Sequence, residues 1–220
     1  MQLKKWAKDH WRIWYVSYVL IYLPWFFTVE RLITFDHPQL HIMHSQLDDM
    51  IPFCEYFIVP YCLWFLYIAI ACVFMYFKGT DTEYRRLAWM LIIGMSICMI
   101  ICMFYPNGVA MRPASLEHDN IFTKVISMLW AADTSTNVFP SIHVYNSLVI
   151  HNALCRCQAL RGHKTVHRLS LILCVSICLS TVFLKQHSVI DVAGAVILMA
   201  VMHYFMYIPA EERHFSFRKA

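Results

Sequence analysis

Six long apolar stretches are the feature of this sequence that most constrains its fold. They cover approximately residues 13–33, 53–77, 87–105, 141–160, 169–184 and 189–208. A helix needs about 20 mainly apolar residues to cross the hydrocarbon core of a bilayer. The composition agrees, because 60% of the 220 residues are hydrophobic and only 15% are charged, values that soluble domains rarely combine. We predict an all-α bundle of six transmembrane helices, formed by residues 1–220 as one domain of a multi-pass protein in the cell membrane.

The first apolar stretch follows the basic segment "MQLKKWAKDHWR", as the core of a signal peptide would. The stretch is longer than such a core, and no cleavage site with small residues follows it. We therefore expect a retained first helix.

The positive charges are distributed unevenly along the chain. All but four of the 18 Lys and Arg residues flank the stretches on one side, which the positive-inside rule assigns to the cytoplasm together with both termini. The net charge of +4 then reflects membrane topology and does not indicate nucleic-acid binding. The exceptions, on the outer side, are Arg31, Arg112, Lys124 and Lys185.

A polar cluster separates the last two apolar stretches, in "FLKQHSVIDVAGA" at residues 183–195. His187 and Asp191 are four residues apart and share one face if a helix begins near His187. The carboxylate could then accept the imidazole Nδ1–H and leave Nε2 free as a nucleophile. Ionisable groups at the membrane edge are costly and usually functional. The alternative is an ion pair that only ties the helix end to a neighbouring helix.

A second polar segment, "NVFPSIHVYNS" at residues 137–147, opens the fourth apolar stretch at the same outer side. Pro140 suits a first helical turn, and the free N–H groups of that turn could bind phosphate. Ser141 could add a hydroxyl donor, and His143 could protonate a leaving oxygen. The alternative is an ordinary helix cap.

The third segment is "YPNGVAMRPASLEHDN" at residues 105–120, in the long outer loop. Its guanidinium, on Arg112, could bind a phosphate through two parallel hydrogen bonds. Taken alone, Arg112 could equally anchor the loop to lipid head groups. Together, the three segments bring two histidines, an aspartate, an arginine and a helix N-terminus to one face of the bundle.

These three segments, in this order, resemble the type 2 phosphatidic acid phosphatase superfamily. The chain reads "RP" at 112–113, "PSIH" at 140–143 and "HSVID" at 187–191. The motifs of that superfamily are Lys-x6-Arg-Pro, Pro-Ser-Gly-His and Ser-Arg-x5-His-x3-Asp, on six transmembrane helices. The resemblance implies a core like that of acid phosphatases and vanadium haloperoxidases, and a lipid phosphatase that uses no metal and no cofactor.

The resemblance also implies a role for each matching residue. His187 would attack phosphorus and become a phosphohistidine, while Asp191 orients it. His143 would protonate the leaving group. Arg112 and Ser141 would bind the phosphate oxygens. The substrate would be phosphatidic acid, a polyprenyl pyrophosphate or phosphatidylglycerophosphate, drawn from the surrounding membrane lipids.

The chain departs from the superfamily at two phosphate-binding cations. Tyr105 replaces the lysine of the first motif, Thr181 replaces the arginine of the third, and Ile142 replaces the glycine of the second. Lys185, two residues before His187, could restore one cation.

The forms "FPSIH" and "KQHSVIDV" are similar to those of inositol-phosphorylceramide and sphingomyelin synthases. The acceptor of the phosphoryl group therefore stays open between water and a lipid alcohol. A catalytically silent protein that binds or transports lipids is a third reading, and the sequence does not indicate an oligomeric state.

Four further features are weaker. The first outer loop could form a divalent-metal site or an amphipathic stretch at the lipid head groups, and the pair Cys155 and Cys157 lacks a second pair of metal ligands. Residues 119–133 have the pattern of an amphipathic helix beside the site, His151 fits a hydrogen-bonded core position, and we expect no disulfides. In the first outer loop, the residues that could bind the divalent metal are His37, His41, His44, Asp48 and Asp49.

Overall fold

The computed structural model describes residues 11–208, and 72% of these residues are helical. Two short strands, β1 (His41–Ile42) and β2 (Asn107–Gly108), pair in parallel, and single 3-10 turns form at Glu55–Phe57 and Gln158–Leu160. The α-helices of the described part are α1 (Trp11–Val16), α2 (Val19–Leu32), α3 (Gln46–Met50), α4 (Ile58–Lys78), α5 (Asp81–Phe104), α6 (Ile121–Ala132), α7 (Ile142–Arg156), α8 (Lys164–Phe183) and α9 (Val189–Tyr207).

Five helical segments of the described chain are long and apolar enough to cross a membrane. The first is Trp11–Leu32, which contains both α1 and α2. The others are Glu55–Lys78, Asp81–Phe104, Lys164–Phe183 and Val189–Tyr207. An all-α membrane bundle is therefore supported. The predicted fourth stretch, 141–160, forms the helix α7 of 15 residues, which spans about 22 Å against a hydrocarbon core of about 30 Å.

Helix α7 is shorter and more polar than the four helices that contact it, and its position at the centre of the bundle permits this. It contacts α4, α5, α8 and α9, so it needs no continuous apolar surface toward lipid. Asn146 and Ser147 are buried within it. Its close approach to α5 depends on Gly94, where an added Cβ would lie 2.1 Å from the ring of Tyr145.

The two ends of the bundle differ in charge. Arg12 donates to the carbonyl of Tyr76 and forms an ion pair of 2.8 Å with Asp81. Arg86 and Arg156 both lie over the ring of Tyr207, at 5.1 and 4.8 Å. This basic end is opposite the N-termini of α7 and α9. Which end faces the cytoplasm stays a prediction, and Lys4, Lys5, Lys8, Arg213, Arg218 and Lys219 lie outside the described residues.

Short elements cover the other end. The amphipathic helix predicted at 119–133 is confirmed as α6, whose residue Ile126 is fully buried against Ile58, Tyr61 and Leu184. Strand β2 and the short helix α3 support the same end: Asn107 accepts the N–H groups of Val138 and Phe139, just before α7, and Asp48 accepts the N–H of Val189 at the start of α9.

Candidate active site

A tight turn between α8 and α9 carries His187. The carbonyl of Thr181, in the last turn of α8, accepts the N–H groups of both Gln186 and His187 at 3.0 Å. Lys185 adopts a left-handed conformation with φ of 56°, an uncommon one for a residue other than glycine. Leu184 is fully buried beneath the turn. These contacts fix the backbone of His187 independently of its side chain.

Asp191 lies in the first turn of α9, where it serves the helix cap. Its Oδ2 accepts the backbone N–H of Ser188 at 2.8 Å, and the Ser188 hydroxyl accepts the N–H of Ile190 at 3.2 Å. Such reciprocal bonds satisfy donors that a helix N-terminus otherwise leaves free. Ser188 is the N-cap residue, and His187 directly precedes it. The capping bond therefore holds the Asp191 carboxylate close to His187.

The imidazole of His187 faces this carboxylate. Its Nδ1 lies 3.4 Å from Oδ2 of Asp191, which is ion-pair range but longer than a good hydrogen bond. Nδ1 of His187 and Oδ1 of Asp191 have no hydrogen-bond partner among the described residues. The two residues are 6% and 0% exposed, so a charge on the imidazole would be balanced almost entirely by Asp191 and its other near neighbours.

A second imidazole, that of His143, meets the first. His143 is in the first turn of α7, and its ring lies between those of Tyr61 and Trp64, with ring centres 4.7 and 4.3 Å away. The Trp64 indole also donates to the His143 carbonyl at 3.1 Å. Nδ1 of His143 is 3.4 Å from Nε2 of His187.

This contact between the rings has a chemical consequence. One of the two nitrogen atoms must carry the proton and the other the lone pair. A proton on His187 Nδ1, opposite Asp191, leaves Nε2 as the acceptor of the pair. His187 would then present a nucleophilic nitrogen, and His143 would present a proton beside it.

Ser141 joins the N-termini of the two helices. It is the N-cap of α7, where its Oγ accepts the N–H of Val144 at 3.4 Å. Its own N–H donates to the carbonyl of Asp191 at 3.2 Å. Ser141 is fully buried, and its hydroxyl proton is not engaged by the Val144 contact.

Arg112 reaches the same site from the long loop. Its Nη2 donates to Oε1 of Gln186 at 2.8 Å and to the carbonyls of Asp133 and Thr134 at 3.0 and 3.1 Å. Burial lowers the pKa of Arg112, and the nearby Asp133 opposes this, so the guanidinium stays charged. Arg112 Nε and Gln186 Nε2 are buried donors without a partner among the described residues.

Asp133, just after α6, is a site residue that the sequence did not reveal. The hydroxyl of Tyr61 donates to its Oδ2 at 3.3 Å. Burial raises the pKa of Asp133, and the charges of His187 and Arg112 act against that shift. Asp133 belongs to no motif. In the sequence it is only the last residue of the amphipathic helix predicted at 119–133.

Lys185 is turned away from the two imidazoles. Its Nζ donates to the carbonyl of Asp48 at 2.6 Å and to that of Ile51, at the C-terminus of α3. Its predicted phosphate-binding role stays a prediction and requires Nζ to leave these two carbonyls.

Asp48 is the second residue whose place only the structure reveals. Its carboxylate accepts the Ser188 hydroxyl at 2.6 Å, the Val189 N–H at 2.8 Å and the Ser45 N–H at 2.7 Å. Burial alone raises the pKa of Asp48, but these hydrogen bonds outweigh it and hold the pKa below its usual value. Asp48 therefore supports the start of α9 from the first outer loop.

The other candidates for a metal site are dispersed. His44 pairs with Asp49 at 2.8 Å, and His41 stacks on Tyr105 with ring centres 4.3 Å apart. Across residues 11–208, no three His, Cys, Asp or Glu side chains are grouped so that they could hold a metal ion. His151 makes the predicted core contact, with Nδ1 2.9 Å from the hydroxyl of Ser170.

Tyr105 and Thr181, which stand where the superfamily has its two cations, do not supply a cation. Tyr105 stacks on His41, and Thr181 is fully buried with its hydroxyl donated to the carbonyl of Cys178 at 2.8 Å.

No family model, curated protein or solved structure matches this chain. The resemblance indicated by the three motifs therefore stays a prediction.

Proposed function

We propose that this chain is a membrane lipid phosphatase of the type 2 phosphatidic acid phosphatase superfamily, which hydrolyses a lipid phosphate or pyrophosphate through a phosphohistidine. The observation that carries the proposal is the contact of 3.4 Å between His187 Nε2 and His143 Nδ1, with Asp191 at 3.4 Å behind the first ring. In this order, His187 would serve as the nucleophile, Asp191 as the carboxylate that orients it and His143 as the proton donor.

The proposal includes a bundle that crosses the membrane six times. Helix α7 would be the sixth crossing, since it is enclosed by helices long enough to span and begins beside α9. Both termini would then be cytoplasmic, and the site would face outward.

Substrate binding would use the donors that have no partner. Arg112 Nε and Gln186 Nε2 are buried near the turn of His187, and the Ser141 hydroxyl lies at the α7 N-terminus. A guanidinium and a helix N-terminus both favour an anionic group. The phosphate would therefore be held between Arg112 and the start of α7.

The reaction would proceed in two steps. Nε2 of His187 forms a bond to phosphorus while the bond from phosphorus to the lipid or phosphate oxygen breaks, and His143 gives that oxygen a proton. Attack and departure occur on opposite sides of phosphorus in an in-line displacement, so the two nitrogen atoms separate to admit it. Water, deprotonated by His143, then displaces His187 and releases inorganic phosphate.

A lipid phosphotransferase is the second candidate, and the burial of the nucleophile favours it. His187 is only 6% exposed, which restricts the access of water to a phosphohistidine. A lipid alcohol that occupies the site would then accept the phospho-head group instead. Phosphate release that falls, with formation of a new phospholipid, on addition of diacylglycerol or ceramide would identify this activity.

The testing experiment is a phosphate-release panel over lipid phosphates and pyrophosphates, with EDTA present. We expect the parent protein to release phosphate, and His187→Ala to reduce the rate by about 10⁴-fold or more because the nucleophile is lost. His203→Ala, in the same helix α9 but at the basic end, is the matched control and should keep the parent rate. Equal phosphate release by the parent and His187→Ala, or none from any lipid, would reject the proposal and favour a silent lipid-binding protein.

A further inference from the structure

A cavity of about 440 Å³ lies between the first span and the helices α4 and α5, a volume in the range of small-molecule sites. Along α5 it reaches from Tyr84 to Met95, a distance of about 16 Å at the helical rise. Its wall is almost entirely apolar, with Val19, Leu23, Phe65, Ile68, Leu91 and Ile92 among the lining residues. We call it the lateral cavity.

The lateral cavity adjoins the candidate active site through one side chain. Trp64 lines the cavity, and its ring centre is also 4.3 Å from that of His143. Its indole N–H, bonded to the His143 carbonyl, keeps the ring in this position. Only the ring of Trp64 therefore separates a molecule in this part of the cavity from His143.

Asn146 is the one amide side chain among the residues that line this wall. It lines the lateral cavity, is 2% exposed, and its Oδ1 has no hydrogen-bond partner among the described residues. A buried amide oxygen without a donor is unfavourable, so an apolar wall is a costly place for it. Asn146 is three residues after His143, which puts it about 4.5 Å further along the axis of α7.

The first span leaves an approach to this cavity from the membrane. Of the five spanning segments, Trp11–Leu32 is the least buried, with 11% of its apolar window inside the protein. It packs on α5, and the lateral cavity separates it from α4.

We propose that the lateral cavity binds one hydrocarbon chain of a lipid phosphate, and that Asn146 accepts a hydrogen bond from a hydroxyl or amide N–H next to the head group. This inference rests on the proposed function and specifies its substrate class. With phosphorus near His143, the 2-hydroxyl of a lysophospholipid, which is four bonds from phosphorus, reaches the level of Asn146, about 4.5 Å further along α7. The chain then continues past Trp64 between the first span and α4.

The first experiment compares two single-chain substrates that differ only in the donor, namely 1-acyl lysophosphatidic acid and its analogue without the 2-hydroxyl. We expect the parent kcat/KM to favour the hydroxyl-bearing lipid about tenfold or more, as one buried hydrogen bond implies. In Asn146→Leu this ratio should fall to about one. Asn152→Leu, in the same helix but outside the wall of the cavity, is the matched control and should keep the parent ratio.

A ratio near one in the parent, or an unchanged ratio in Asn146→Leu, would overturn the role of Asn146. If Asn146→Leu does not fold, the ratio measured with Asn146→Ser serves instead, because serine is smaller and still polar but too short to reach the same donor.

The second experiment locates the chain without turnover. His187→Ala protein in liposomes is irradiated with lysophosphatidic acid that carries a diazirine in its chain, and the adducts are mapped by mass spectrometry. We expect adducts at Ile68, Leu91 and Ile92, which line the lateral cavity and are partly buried, in excess over the lipid-facing Ile70 and Ile197, which are 60% and 65% exposed.

The two experiments separate the two proposals. Cavity adducts without phosphate release from any lipid by the parent would retain the lateral cavity as a lipid site and reject the phosphatase. Phosphate release with adducts only at Ile70 and Ile197 would retain the phosphatase and reject the cavity.

Discussion

The side chain of His187 is fixed from two directions. On its N-terminal side, the carbonyl of Thr181 holds the backbone of the turn. On its C-terminal side, Ser188 is capped by Asp191 and also donates to Asp48. The ring that results meets His143 at 3.4 Å. A displacement of either ring would change this contact, so the geometry of the candidate site depends on the support around His187 as well as on the ring itself.

The charge of Asp191 can be tested apart from its capping role. In Asp191→Asn the amide oxygen can still accept the Ser188 N–H, but the negative charge beside His187 is lost. We expect kcat to fall by about 10²- to 10⁴-fold, because the carboxylate orients the imidazole and stabilises its cationic form. The thermal unfolding midpoint should stay within a few degrees.

The control for this substitution is Asp119→Asn, whose side chain is 86% exposed and far from the imidazoles in the α6 cap. A kcat of Asp191→Asn within threefold of the parent would contradict the orienting role.

Arg112 and Lys185 are expected to respond differently to substitution. Arg112→Lys keeps the charge but loses the planar fork, so kcat/KM should fall by about 10- to 100-fold. Lys185→Met should lower the thermal unfolding midpoint with little effect on kcat/KM, because Nζ binds carbonyls of α3. Steady-state kinetics and thermal unfolding in detergent measure both effects. A loss of turnover in Lys185→Met at an unchanged midpoint would instead support its phosphate-binding role.

Among the helices, the N-termini of α7 and α9 matter most, because they bring the two histidines together. The N–H of Ser141 donates to the carbonyl of Asp191, so the first turns of both helices are in direct contact. The short helix α3 supports this junction from outside, through the Asp48 carboxylate on Ser188 and Val189. The first outer loop is therefore a structural part of the candidate site.

The pH dependence of this support follows from the lowered pKa of Asp48. A carboxyl with a lowered pKa in the folded state contributes stability above its ordinary pKa of about 3.9, which is lost as the pH falls through the lower folded value. We expect Asp48→Asn to lower stability by about 1–3 kcal/mol at pH 7. The difference from the parent should shrink below about pH 4, as measured by thermal unfolding in detergent.

Asp49→Asn is the matched control, because Asp49 is adjacent but exposed and paired with His44 at the surface. An exposed pair contributes about 0–1 kcal/mol, so this variant should unfold near the parent midpoint at neutral pH. A difference for Asp48→Asn that is the same at pH 7 and pH 3 would show that its charge is not involved.

For the bundle as a unit, the separation of charge between its two ends is the property that can be tested directly. The cations Arg12, Arg86 and Arg156 are gathered at one end, and the candidate site is at the other. The positive-inside rule then predicts that the candidate site faces outward.

Labelling with a membrane-impermeant maleimide tests this orientation. With Cys62→Ser and Cys155→Ser, which remove the exposed cysteines, we expect Asp119→Cys to be labelled in intact cells and Arg161→Cys only after lysis. Both positions are exposed, so accessibility and not burial decides the outcome. The reverse pattern would invert the topology.

The sequence determined the class of fold and the segments that carry the site. The lengths of the apolar stretches and the spacing of His187 and Asp191 are local properties of the chain, which helical geometry converts directly into spans and shared faces. The fourth stretch was the most difficult to identify as a membrane span, because a helix enclosed by other helices can be short and polar. Hydropathy alone does not distinguish such a helix from a surface one.

Only the tertiary structure decided which polar groups support or surround the candidate site. Asp133, Asp48 and Asn146 come from a loop, a short helix and the interior of α7, and each is an ordinary polar residue in its own segment. Lys185, beside His187 in the chain, points instead to the carbonyls of α3. Contacts between distant segments depend on how whole helices pack, and side-chain direction depends on the partners that packing brings within reach, so neither property is present in local sequence.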